Sequence, residues 1–160
     1  MSTGKIFVAN KNGVYVLKFV GDVRLTLCAG LDRFLETMAA APDLSAVVID
    51  LCDAECIDST ALGFIAKISI LTQDILKLKP TVVSSNPDIT RILVSMGFEQ
   101  VFKIITHRID NDESLSELDS SPCSECETKE KVIEAHKILM GLNKKNKQKF
   151  QELVSMLESS

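Results

Sequence analysis

The order strand, long helix, strand constrains this chain more than anything else in it. "AVVIDL", residues 46–51, is a short β-branched run of the kind that is buried on both faces of a sheet. From about Ser59 to Leu78 the apolar residues recur at helical spacing, and Pro80 ends that pattern. "TVVSS" then returns to strand character. Alternating elements of this sort commit the chain to an α/β sheet.

The flanking segments extend the pattern. "KIFVANKNGVYVLKFVG" reads as two strands joined at Asn12-Gly13, a hairpin turn pair. "LTLCAGLDRFLETMAAA" carries Leu27, Leu31, Phe34, Leu35 and Met38 at helical spacing and stops at Pro42. Asn86-Pro87 starts a short helix through Met96, Gly97 closes it, and "QVFKII" reads as a last strand. A hairpin followed by alternating helices and strands gives a sheet of mixed direction. This domain occupies residues 1–108.

The composition shifts over residues 109–127. Asp110, Asp112, Glu113, Glu117, Asp119, Glu125 and Glu127 alternate with serines, without a Lys or Arg, as expected of a flexible acidic linker. Residues 128–160 regain helical periodicity through Val132, Ala135, Leu139, Leu142, Phe150, Leu153 and Leu157. Gly141 and Asn143 divide this extension into two helices. They are expected to pack on the first domain or on each other, or else to form a second partner site.

A hydrophobic fraction of 46% supports a real core, and a formal net charge of −4 argues against nucleic-acid binding. The beginning of the chain lacks a secretion signal and no run is long enough to span a bilayer, so a cytoplasmic protein without membrane insertion is expected. Cys28, Cys52, Cys56, Cys123 and Cys126 are then expected as reduced thiols.

Asp58-Ser59-Thr60 supplies ordinary capping residues for the long helix. At about 100° per residue, Ala61, Phe64, Ile65, Ile68, Leu71 and Ile75 form an arc that must face the sheet. Gly63, Ala66 and Ile70 line up on the other side with Ser59, with Leu62 at the margin and Lys67, Asp74 and Lys77 bordering the stripe. A solvated helix face is normally more polar than this, so the stripe is expected to be a docking surface. A phosphate on Ser59 would bring about two negative charges to its edge. The helix N-terminus tolerates an anion, so such a modification would alter binding without unfolding the domain.

Three segments carry a family resemblance: "VVIDLCDAECIDSTALGFIAKI", "LKFVGDVRL" and "SSNPDITRILVSMGFEQVFKI". Together they resemble the STAS domains of bacterial anti-sigma-factor antagonists over about residues 5 to 106. The resemblance implies a STAS-type α/β domain with a mixed sheet packed by helices, followed here by a C-terminal helical extension. It also implies a partner switch. Ser59 matches the serine that an anti-sigma factor, itself a serine kinase, phosphorylates and a PP2C-type phosphatase restores. Asp22 and Asp58 match positions near that switch, and the unmodified form would sequester the anti-sigma factor and so regulate transcription. Leu62, Gly63, Ala66 and Ile70 would contact this partner. Ala61 stands where many members have Gly, and Thr60 is the alternative hydroxyl, read as a capping or solvated residue. The extension lies outside the resemblance and suggests an HsbA-like subgroup.

Other readings compete with this one. A non-switching STAS subunit of a lipid or anion transport system would tolerate the loss of Ser59. Cys123 and Cys126, with His107 and His136, raise a metal-dependent interaction module, although an isolated CxxC lacks a second close pair and no cofactor is expected. Lys144, Lys145, Lys147 and Lys149 read as a solvated helix face. No catalysis is expected, because neither histidine lies beside a nucleophile in the sequence and no Gly-rich phosphate loop is present.

Overall fold

The computed structural model describes residues 3–108, 115–118 and 124–160. The hairpin forms as the sequence predicts, with β1 (Lys5–Lys11) antiparallel to β2 (Val14–Val23). Asn12 and Gly13 both take positive φ, 52° and 90°, as the turn joining two right-twisted strands requires. A 3₁₀ turn at Leu25–Leu27 leads into α1 (Cys28–Ala39).

The strand of residues 46–51 is β3 (Ala46–Asp50), parallel to β2. A short strand that the sequence analysis did not anticipate, β4 (Ala54–Ile57), follows it. Its cause is the length of β2. Val14–Lys18 pairs with β3, and the continuation through Gly21, Asp22 and Val23 pairs with Ala54, Cys56 and Ile57 after a register shift. The Gly21 amide donates to the Asp53 carbonyl at 2.9 Å, where the chain passes from one partner to the other.

The long helix, α2 (Ser59–Leu76), ends at Lys77, which is left-handed with φ 57°. β5 (Thr81–Val83), α3 (Pro87–Ser95) and β6 (Lys103–Ile105) complete the series. The strand order is β6-β5-β3-β2-β1-β7, with β4 also paired to β2. The last strand, β7 (Ser116–Glu117), lies within the stretch expected to be a linker and pairs antiparallel with β1. The Leu118 amide also donates to the Ile6 carbonyl at 2.8 Å.

The extension forms α4 (Glu125–Met140) and α5 (Lys144–Glu158). Ser124 caps α4, so the helix begins before the expected boundary at residue 128. Ala135, Leu139 and Phe150 join the same buried cluster as Leu17, Phe19, Ile49, Phe64 and Ile65. Leu153 does not follow the expected stripe. It is exposed and Val154 is buried instead, since α5 turns that face toward the rest of the protein. Ile75, expected against the sheet, is also exposed, in the last turn of α2.

Asn146 joins the extension to the first domain. Its side-chain amide donates to the carbonyls of Met96, at 2.8 Å, and Leu139, at 2.9 Å, and it is buried. The neighbouring Gly97 has φ 86°, and a Cβ there would lie 2.6 Å from the Asn143 side-chain nitrogen. Asn143 is the residue that caps α5, its side-chain oxygen accepting the Asn146 backbone amide at 2.7 Å. Gly97→Ala should therefore strain the left-handed turn by about 1–2 kcal/mol and disturb the α5 cap. Hydrogen exchange should show earlier opening at the start of α5 than in β3, with a lower unfolding midpoint for the whole protein.

Candidate functional site

The head of α2 is fixed by Asp58. Its Oδ1 accepts the Ala61 amide at 2.7 Å, closing the N-cap, and its Oδ2 accepts the Leu25 amide at 2.9 Å. One carboxylate thus satisfies an orphan donor of α2 and ties down the turn before α1. Asp58 is the cap, and Ser59 is the first helical residue. Thr60 is buried, contrary to the expectation of a capping or solvated hydroxyl, because the helix turns it inward. Asp22 lies one strand away. Its carboxylate accepts Cys56 Sγ at 2.7 Å and pairs with Arg24. The Cys56 hydrogen bond is the main influence holding Asp22 below the usual carboxylate range. The same bond raises the Cys56 thiol.

Ser59 projects toward the extension. Its Oγ lies 2.8 Å from His136 Nε2, and His136 Nδ1 lies 2.7 Å from the Val132 carbonyl. A carbonyl only accepts, so in the neutral ring Nδ1 carries the proton and Nε2 accepts from the serine hydroxyl. The Phe150 ring meets the imidazole edge-on at 5.0 Å, and His136 is only 2% exposed. The sequence argument that neither histidine lies near a nucleophile is therefore corrected: separation of 77 positions along the chain hid a direct contact.

Below Ser59, Gly63 lets α2 and α4 come close together. A Cβ on Gly63 would stand 2.4 Å from the Ala135 carbonyl oxygen and 2.5 Å from its Cβ. Leu62 and Ala66 are buried, whereas Ile70 is 44% exposed. The expected outward stripe is thus real in its composition, but α4 covers its upper part. Lys67, at the margin, donates to Asp32 of α1 at 2.7 Å and to Glu134 of α4 at 2.9 Å. Lys131 of α4 reaches the other Asp32 oxygen at 3.2 Å, and both ammonium groups lie over the Phe64 ring. Burial opposes charge on Lys67, but its two carboxylate partners outweigh it and its pKa rises. Burial likewise opposes ionisation of Asp32, and hydrogen bonds from Lys67 and Lys131 reverse that effect and lower its pKa.

The sequence analysis missed Glu134, Lys131 and Asp32, and it named Ala135 only for its helical spacing and His136 only as a metal-ligand candidate. The one available signal was the unusually apolar stripe on α2, which called for a cover without saying which segment provides it. The remaining sequence candidates are dispersed. Cys126 is exposed on α4, His107 is exposed after β6, and Cys123 lies outside the described residues. Among the described residues, no group of three or more His, Cys, Asp or Glu could hold a metal ion. Lys144, Lys145, Lys147 and Lys149 are exposed, as expected of a solvated face.

Comparisons with known proteins give the first domain a relationship. Residues 5–111 match the model of the STAS domain. A crystal structure from Thermotoga maritima, described as that of a candidate anti-sigma factor antagonist, is similar with 21% identity and a TM-score of 0.49, over 61% of this chain and 83% of that one. No curated protein matches the chain.

Two outcomes test this geometry. Asp58→Ala removes both carboxylate bonds, and thermal or urea unfolding should show a loss of about 1–2 kcal/mol, with the start of α2 exchanging faster. The second concerns acid. Because the Asp32 pKa is lower in the folded protein, its contribution is complete above the unfolded value of about 3.9 and is lost as pH falls through the lower folded value. Protection of α4, corrected for the intrinsic pH dependence of exchange, should therefore be complete above that unfolded value and fall progressively as pH drops from it toward the lower folded value. In Asp32→Asn the seam should be looser at neutral pH, and that acid step should shrink.

Proposed function

The chain belongs to the STAS domain family, and on that basis we propose that it is an anti-sigma-factor antagonist switched by phosphorylation of Ser59. The observation that carries this reading is the division of labour at the head of α2. Asp58 takes the structural task of capping, which frees the adjacent Ser59 hydroxyl from holding the helix together. Ser59 instead stands at the top of the face made by Leu62, Gly63 and Ala66, where an added charge reaches a binding surface directly.

In this reading the unmodified protein sequesters an anti-sigma factor that is also a serine kinase, and a PP2C-type phosphatase resets the switch. A doubly ionised phosphate beside Asp58 sets like charges together at any interface formed there. Such juxtaposition costs several kcal/mol, enough to change affinity by orders of magnitude. The helix N-terminus accepts the anion without loss of the fold. Asp22 lies near this end, with its charge already committed to Cys56 and Arg24. The protein acts in the cytoplasm as a binding component of transcriptional control. Among the described residues no helix is long and apolar enough to cross a membrane.

Ser59 is a substrate of another enzyme in this scheme. It pairs with His136, whose imidazole is 2% exposed and packed edge-on against Phe150 of α5. The test is a pull-down from native cytosol with wild type, Ser59→Ala and Ser59→Asp, read by mass spectrometry. Wild type and Ser59→Ala should recover an anti-sigma factor and Ser59→Asp should lose it. Identical partners for all three would remove the switch and favour a non-switching transport subunit.

A further inference from the structure

We propose that the α4–α5 hairpin is a releasable cap that occupies the partner-binding face of α2, so that docked hairpin, bound partner and phosphate on Ser59 exclude one another. The inference rests on the reading of Ser59 and α2 given above, and it adds a third participant to the switch.

Three contacts place the cap on that face, and a fourth ties it to α1. Ala135 sits against Gly63 so closely that no side chain could intervene, and His136 accepts the Ser59 hydroxyl. Glu134 pairs with Lys67, and Lys131 pairs with Asp32. A partner approaching Leu62, Gly63 and Ala66 must first displace these residues. A phosphoryl group has no room either, since Ser59 Oγ and His136 Nε2 are already in hydrogen-bond contact at 2.8 Å.

The seam has the character of a separable joint. The match to the STAS domain ends at residue 111, before α4 begins at Glu125, so the hairpin is an addition to a module defined without it. Part of the joint is polar, with a hydroxyl–imidazole bond and two ion pairs beside the apolar residues Ala135, Leu139 and Phe150 that reach the shared core. Segments with such contacts can open as a unit below the free energy of global unfolding. The cap also describes what it imitates. A competing occupant is an amphipathic helix carrying a small residue at the Gly63 crossing and an acidic residue one position before it, opposite Lys67.

The test uses the full chain and a labelled peptide of its own α4, residues 124–143, as the probe. Ala135→Glu drives bulk and charge into Gly63, and Lys131→Glu sets a carboxylate against Asp32. Neither change touches the α2 face. Hydrogen exchange should show α4 opened in both variants while β3 and β5 keep their protection. The opened proteins should bind the peptide, and wild type should bind it far more weakly. A cap closed in about 99% of molecules lowers apparent affinity about 100-fold. A peptide carrying Ala135→Glu should not bind. Protein with phosphoserine incorporated at position 59 should show α4 exchanging as fast as in Ala135→Glu.

Equal peptide binding by wild type and the opened variants would overturn the proposal, as would α4 remaining docked in both variants. Loss of β3 and β5 protection whenever α4 opens would also overturn it, by showing the hairpin to be an integral part of the core. Protection of α4 in the phosphoserine protein would refute the exclusion by phosphate. No anti-sigma factor enters these measurements, so their failure is separate from failure of the pull-down.

Discussion

The carboxylate of Asp58 sets the frame on which the rest of the site depends. It accepts one amide from its own helix and another from the turn before α1, so the start of α2 and the approach to α1 share a single anchor. The backbone adds a second tie, with the Asp58 amide donating to the Val23 carbonyl at 3.0 Å. With the helix held from both sides, the direction of the Ser59 side chain is determined by backbone geometry. A hydroxyl that had to cap the helix could not also face outward to meet another element.

From that fixed point the α2 surface divides according to residue size and charge. Gly63 lowers the surface so that a second backbone can come close, and Lys67 supplies the charge that α1 and α4 both neutralise. Phe64 lies beneath two ammonium groups, a favourable position over an aromatic face. The result is a joint between helices determined by shape and ion pairing, beside which Leu139 and Phe150 of the hairpin enter the shared core.

The hairpin, the β-branched strands and the capped helices were legible because each is a local event: Asn12-Gly13 dictates a turn, Pro87 a helix start and Asn143 a helix cap. β4 was not legible, since "AECI" has little strand propensity and pairs only because β2 runs past the end of β3. Ser59, Asp58 and the α2 stripe could be identified from spacing and family resemblance. Their cover could not. Ala135 and His136 are unremarkable positions in a helix, and their role exists only where the chain returns after an intervening sheet. The buried Thr60 shows the same limit, because helical phase relative to the core decides whether a hydroxyl is solvated.

The two residues of β7 have an effect out of proportion to their length. By hydrogen bonding to β1 they pin the chain at Ser116 and Glu117, a short distance in sequence before α4. A hairpin that leaves α2 thus remains on a short leash, and short leashes correspond to effective concentrations in the millimolar range. An outside helix must compete against that local concentration as well as against the contacts themselves. The leash therefore acts as a threshold, which weak or scarce helices do not cross and a matched partner does.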